Sequence, residues 1–224
     1  GLVARNAVQD VGGSAVRARG GSSGVTIRAN RIFEGGERAL VLGGATDPAE
    51  FRPAGADYEA RNLLAFANII YAGQTAVVFA GCDGCIFANN TVVEPSDWIA
   101  HIVQESVDGF VPCRDGRFIN NLVLFRSAGL VGYVAVNPGT APETFVFSHN
   151  LWFAEDDPSF TGPRLPVAED GTVVADPLTF GPIDWQLRPG SPADGAGGAL
   201  PEVVADYRGL CWGDPPAIGA HEGR

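Results

Sequence analysis

One phrase recurs along this chain and limits what it can fold into: a short apolar run, an asparagine, one variable residue, β-branched or aromatic residues, then a glycine-rich turn. Its copies are Val3-Ala4-Arg5-Asn6-Ala7-Val8, Ile27-Arg28-Ala29-Asn30-Arg31-Ile32-Phe33, Phe66-Ala67-Asn68-Ile69-Ile70-Tyr71, Phe87-Ala88-Asn89-Asn90-Thr91-Val92-Val93, Phe118-Ile119-Asn120-Asn121-Leu122-Val123-Leu124 and Phe145-Val146-Phe147-Ser148-His149-Asn150-Leu151-Trp152-Phe153. Self-similarity of this kind marks a chain of stacked structural repeats.

A second strand-like run follows each asparagine, as in Ala15-Val16-Arg17-Ala18, Ala39-Leu40-Val41-Leu42 and Ala76-Val77-Val78-Phe79. Such a unit cannot bury its apolar face alone, so copies must stack, each strand pairing in parallel with its equivalent in the next unit. The expected fold is all-β, a parallel β-helix or solenoid over residues 1–155. An irregular C-terminal extension, 156–224, should pack on it or cap it. Asn6, Asn30, Asn68, Asn90, Asn121 and Asn150 should form a structural ladder, since asparagine tolerates the left-handed conformation of a bend and its amide both donates and accepts. Asn89-Asn90-Thr91 also fits a glycosylation sequon, but the ladder explains these asparagines better.

Composition agrees with a turn-rich folded domain: 30 glycines and 16 prolines in 224 residues, 46% hydrophobic and 18% charged. The net charge is −11 and all 15 basic residues are arginine, which disfavours nucleic acid and anionic membranes as partners. No apolar run approaches a membrane span, so membrane insertion is not expected. The chain opens in mid-repeat and without methionine. Upstream β-helix rungs or a cap, and with them a signal peptide, are therefore expected to be missing from it.

The repeated phrase resembles the rungs of the pectate-lyase-like right-handed parallel β-helix superfamily, over about Leu2 to Phe153. Asp176-Pro177-Leu178-Thr179-Phe180, Trp185 to Ala193 and Pro216-Ala217-Ile218-Gly219-Ala220-His221-Glu222 resemble the closing segment of many secreted bacterial β-helix proteins. The resemblance implies a secreted or cell-surface protein, bacterial in origin, with polysaccharide or another glycan as partner. Fold alone names no reaction.

The longer steps between ladder asparagines predict loops near Ala45 to Arg61, Pro95 to Gly116 and Asn137 to Glu143, stacked along one edge. They hold residues that the repeat does not need. Arg52, Tyr58, Asp97, Trp98 and Gln104 supply rings and polar groups suited to binding sugar. Glycoside hydrolysis needs two carboxyl groups, for which Glu59, Asp97 and Glu105 are available. Eliminative cleavage of a uronate needs a base and neutralisation of the carboxylate by Ca²⁺ or arginine. His101, with Glu105, Glu59, Arg61 and Arg114, forms the candidate catalytic set. Two function classes stay open: a carbohydrate-active protein, as polysaccharide lyase or glycoside hydrolase, and a non-catalytic surface, adhesion or structural module. The lysine base of the chondroitinase-B-like lyases has no counterpart here, nor has the Asp-Pro-His-Asp signature of the alginate epimerases. Asp156-Asp157 reads as a solvated turn.

Cys82-Asp83-Gly84-Cys85 has the spacing of a redox or zinc pair, but Cys113 and Cys211 make no second pair to complete a zinc site. Cys82 precedes Asn90 by the same interval as Cys113 precedes Asn121. Stacking would then bring these two within reach of a disulfide, and Cys82–Cys113 is the expected bond.

Overall fold

The computed structural model describes residues 1–106 and 108–223. It is all-β with extensive parallel pairing. Sheet A contains Leu2–Ala4, Thr26–Arg28, Leu64–Phe66, Ile86–Ala88, Arg117–Ile119 and Val146–Ser148, in that order. Sheet B contains Ala7–Gln9, Arg31–Phe33, Ile69–Tyr71, Thr91–Val93, Leu122–Phe125, Leu151–Ala154 and Val173–Val174. Sheet C contains Ser14–Ala18, Arg38–Gly43, Thr75–Ala80, Trp98–Val103 and Gly132–Val136. A smaller sheet pairs Ser22–Ser23, Ala60–Arg61 and Cys82–Asp83. The chain visits A, B and C in rotation, and each strand pairs with its counterpart one repeat later: Val3 with Ile27, Ile70 with Val92, Val77 with Ala100.

The sheets face a common interior. Ile27, Ile32, Leu40, Phe79, Phe87, Phe118, Val123 and Trp152 belong to one cluster of buried side chains. Phe118 stacks on both Phe87 and Trp152, with ring centroids 5.3 and 5.9 Å apart. Phe87, Phe118 and Phe147 thus stack at equivalent positions of successive repeats of sheet A, with Trp152 of sheet B packing across the interior, each burying area worth about 1.5–3 kcal/mol.

At the bend between sheets A and B stand the ladder asparagines. Nδ2 of Asn6 donates to Oδ1 of Asn30 at 2.9 Å, and the pattern continues through Asn68, Asn90 and Asn121 to Asn150. Each acceptor oxygen also takes the backbone N–H of the preceding ladder residue. The second amide hydrogen goes to a carbonyl such as Ile27 O or Phe87 O. Asn150 in turn donates to Glu169, whose other oxygen accepts from Trp152 Nε1 at 2.9 Å. The ladder therefore ends on a carboxylate from the C-terminal segment. The left-handed conformation expected of the asparagines falls one residue earlier, on Arg5, Ala29, Ala67, Asn89, Asn120 and His149. The bend needs the ladder residue's amide on its inner side, so the neighbour takes the strained dihedral.

After Phe153 the chain leaves the repeat. Phe160, Leu165 and Val167 pack against the end of the interior, and Val173–Val174 adds the last strand to sheet B. Trp185, Ala193, Ile218 and Ala220 then cover the outward residues Ile69, Val93, Leu122, Leu124 and Leu151 of sheet B. Burial on both faces explains why Leu122-Val123-Leu124-Phe125 is a continuous apolar run.

Candidate functional site

Sheet C carries the outward residues with the most chemistry. The expected loop Pro95 to Gly116 is in fact interrupted by the strand Trp98–Val103, whose register matches Thr75–Ala80. Its apolar residues at positions 99, 100 and 102 serve the interior, and the pattern aligns with Thr75-Ala76-Val77-Val78-Phe79-Ala80. His101 therefore stands on a rigid strand, in one row with Arg17, Val41, Val78 and Ala135. It is half-buried, and its Nε2 lies 2.8 Å from Oδ1 of the exposed Asn137 at the end of the neighbouring strand. Arg17 is exposed and, among the described residues, its side chain bonds only Ser14 Oγ, at 2.9 Å.

Beneath these polar groups, Val41, Val78, Ala80 and Val103 form a small buried cluster to which no apolar side chain from the C-terminal segment adds among the described residues. The Arg38–Glu105 ion pair, 2.8 Å between Nη1 and Oε1, reaches across the same sheet from the start of one strand to the end of another. Both partners are about a quarter exposed, and long side chains of this kind cover apolar surface with their stems. Trp98, at the head of its strand, lies flat against Gly132 of the next strand. A Cβ at position 132 would meet the indole at 2.6 Å, so only glycine admits the ring there.

The remaining sequence candidates hold the molecule together elsewhere. Glu59 is fully buried, and its carboxylate accepts from Gly20 N, Thr46 N, Thr46 Oγ1 and Ser106 Oγ at 2.7–3.0 Å. Four donors occupy the lone pairs that a catalytic carboxylate would need. Arg61 on the neighbouring strand and Arg114, bridged to Asp83 on its other side, clamp Asp83 at 2.9 and 3.0 Å. Burial disfavours the charged form of Asp83, but the bonds and charges of Arg114 and Arg61 outweigh it and hold its carboxyl below the usual range. Arg61 also lies over the Tyr58 ring, 3.9 Å from its centroid, and Tyr58 is buried. Arg52 bonds the carbonyls of Ala49 and Phe51 in its own loop. Gln104 accepts from Cys113 N and donates to Ser106 O, closing the loop after the His101 strand. Asp97 presents its carbonyl to Val131 and Gly132, and its side chain accepts from Ser96 Oγ. Phe51 packs on Phe110 at 5.3 Å, and Val111 N donates to Asp57 O, so the two long loops are laced together as stacking requires.

The five residues of the expected catalytic set are thus dispersed: His101 on sheet C, Glu105 two residues beyond the end of its strand, Glu59 in a buried loop clasp, Arg61 on the smaller sheet and Arg114 in an isolated bridge beside it. Asn137, which sequence reasoning did not single out, is the partner His101 has acquired, and Arg17, also not singled out, stands in the same row three strands away. The signal for Arg17 was present, because its strand aligns with Ala39-Leu40-Val41-Leu42 in the repeat. For Asn137 it lay in its place as the first residue of the expected loop Asn137 to Glu143.

The expected Cys82–Cys113 bond is replaced by Cys82–Cys85, whose Cα atoms are 6.1 Å apart. Register was read correctly, since Asp83 bridges Arg114 and Arg114 N donates to Cys82 O. The tight turn at Gly84 nevertheless brings Cys85 to its near neighbour, and Cys113 is left as a free thiol bonded to Phe79 O. Burial pushes that thiol up to about 12. Cys211 is free and exposed. As expected for a solvated turn, Asp156 caps the Ser127 and Ala128 amides, which lower its carboxyl.

Among the described residues no three His, Cys, Asp or Glu side chains converge to hold a metal ion, and no helix is long and apolar enough to cross a membrane. No protein-family model matches this chain, and no curated protein is significantly similar to it.

Proposed function

We propose that this chain is a right-handed parallel β-helix of the pectate-lyase-like kind, secreted or displayed at a bacterial surface, and that it binds polysaccharide along the outer face of sheet C without cleaving it. The observation that carries the reading is the His101–Asn137 pair on the outer side of sheet C, one partner half-buried and the other exposed, where no apolar side chain of the C-terminal segment packs among the described residues. Parallel strands repeat such positions at about 4.8 Å, which suits an extended ligand lying across them. Three strands along the same row, beyond Val78 and Val41 and so about 14 Å from His101, Arg17 carries a positive charge that forms no ion pair among the described residues and is placed to meet a uronate further along the polymer. Binding is favoured over cleavage because the acidic candidates are engaged, Glu59 by four donors and Glu105 by Arg38. Hydrolysis needs two carboxyl groups free to flank one bond.

The test is a panel of acidic and neutral polysaccharides, with and without Ca²⁺, read by retention, by ultraviolet absorbance of unsaturated products and by reducing ends. Saturable retention of an acidic polymer, weakened about tenfold in R17A and H101A, is the expected result. Rising unsaturated product would replace binding by elimination, reducing ends alone by hydrolysis. No retention of any polymer would end the carbohydrate reading.

A further inference from the structure

We propose that the Arg38–Glu105 pair is a displaceable strap over the binding face of sheet C, and that a carboxylate of the acidic polymer takes the place of Glu105 on Arg38. The inference rests on the reading of sheet C as a polysaccharide-binding face and names the contact that regulates it. A polymer running along the row from His101 to Arg17 must cross Val78 and Val41, and both are 0% exposed. Among the described residues no apolar side chain of the C-terminal segment lies over them. Arg38 opens the strand that carries Val41, which lies between the strands of Arg17 and Val78, and Glu105 follows the end of the strand that carries His101. Their side chains meet across the sheet, so the middle of the row is bridged by one arginine and one glutamate.

The bonding of this bridge differs from that of the Asp83 clamp. Asp83 takes Arg61 on one oxygen and Arg114 on the other, and its side chain is only 13% exposed. Arg38 and Glu105 meet through Nη1 and Oε1 alone, and neither side chain makes another hydrogen bond among the described residues. About a quarter of each is exposed. A pair so placed adds little to stability, because water screens it and two long side chains are held in place for one contact. A guanidinium fork binds a carboxylate best through two parallel bonds. A uronate that presents both oxygens to Arg38 therefore replaces one bond with two, while Glu105 returns to water. Arg38 stays neutralised throughout, since one carboxylate is exchanged for another. Glu105 opposes an acidic ligand twice, as competitor for Arg38 and as a negative charge beside the polymer. A neutral polymer has nothing to exchange with Glu105, so the strap selects for uronates. Opening frees one carboxylate, but Glu59 keeps its four donors, and the two free carboxyl groups that hydrolysis needs are still lacking.

The test compares the parent protein with E105Q, R38A and the double variant R38A/E105Q, using polygalacturonate and alginate as acidic probes and dextran as the neutral one, with affinities from retention and calorimetry. E105Q should bind an acidic polymer about threefold more tightly than the parent, the gain expected on removing a half-exposed competing pair. R38A should bind it about tenfold more weakly, and E105Q should add nothing in the R38A background. Dextran binding should not respond to E105Q. A pair that merely braces the loop would weaken binding in both single variants, so the opposite signs separate exchange from support. Thermal melts establish that the variants are folded, and if R38A is not, the sign of the E105Q effect decides. The proposal is overturned if E105Q binds acidic polymer no more tightly than the parent, or if its gain persists without Arg38. Retention by the parent with no gain in E105Q removes the strap and leaves the sheet C reading standing, whereas no retention by either protein removes both.

Discussion

Sheets B and C lie side by side in every repeat and contribute to the same interior, yet their outer faces have opposite fates. On sheet B the outward residues are Ile69, Val93, Leu122, Leu124 and Leu151, and Trp185, Ala193, Ile218 and Ala220 of the C-terminal segment seal them. Tyr71 stacks on Trp185 at 5.4 Å, and Ala220 N donates to Thr91 Oγ1. On sheet C the outward row holds Arg17, Val41, Val78 and His101, and what covers its aliphatic part is polar. A face of Leu, Ile and Val must be covered by chain to leave water. On sheet C, Val41 and Val78 are also fully buried, and it is Arg17 and His101 of that row that keep exposure for a ligand. Outward composition, more than any loop, separates the structural side of this molecule from the side that can bind.

The comparison breaks if both faces contribute alike to stability, so the first prediction sets Trp185→Ala against His101→Ala. Truncating Trp185 should cost about 3–5 kcal/mol in urea unfolding, whereas His101→Ala should stay within about 0.5 kcal/mol, as a partly exposed residue outside the core would. Next comes Asn90→Ala, which removes the acceptor of the Asn68 amide and backbone N–H and takes the Asn90 amide donor from Ala65 O, Ala88 O and Asn121 Oδ1, the last of which keeps the residue-90 backbone N–H. A loss of about 2–4 kcal/mol is expected, with Asn6→Ala at the exposed first repeat costing clearly less. Equal losses would mean that the ladder is solvated along its length.

The third and smallest effect concerns how the cover on sheet B responds to pH. His221 is buried beside the Tyr207 ring, 5.3 Å between centroids, and faces Arg208, Asp206 and Asp184. Burial, helped by the Arg208 charge, holds its imidazole below the ordinary value of 6.5. The unfolded chain then takes up the proton first. Stability is full above the unfolded value and falls as pH drops through it toward the folded one, by at most about 1.4 kcal/mol per pH unit. His221→Phe should flatten this part of the profile below about pH 6.5, measured against the parent protein so that carboxylate titrations cancel. An unchanged profile would show that the segment remains in place around a charged imidazole.

Much of this was legible in the residues. The asparagine phrase placed every strand of sheets A and B from Val3 to Phe153, because the ladder amide and the apolar inward positions recur in each copy. Parallel pairing followed from the same repetition. The strand Trp98–Val103 was hidden because it lies between two irregular stretches, and its residues were taken into a loop. The cysteines were misassigned for a related reason: register gives which residues face each other, but a two-residue turn gives which sulfurs meet first. Tyr58 and Glu59 looked like binding groups because aromatic and acidic residues in a loop suit sugar. Whether such groups face solvent or clasp the loop depends on partners such as Arg61, Thr46 and Ser106, distributed along the chain.

The sequence by itself determined the stack: apolar and β-branched residues at fixed offsets from an asparagine can be satisfied only by repeats pairing with repeats. It determined equally that the outer surface of sheet B would need a cover, since Leu122-Val123-Leu124-Phe125 has no polar face to offer water. What supplies that cover, which thiols bond, where Glu59 spends its charge and how Asn137 comes to stand beside His101 were decided by tertiary structure alone. These contacts join residues dozens of positions apart through insertions that share no repeat. Local propensity and periodicity carry no information about them, and only the closing of the chain on itself brings the partners within bonding distance.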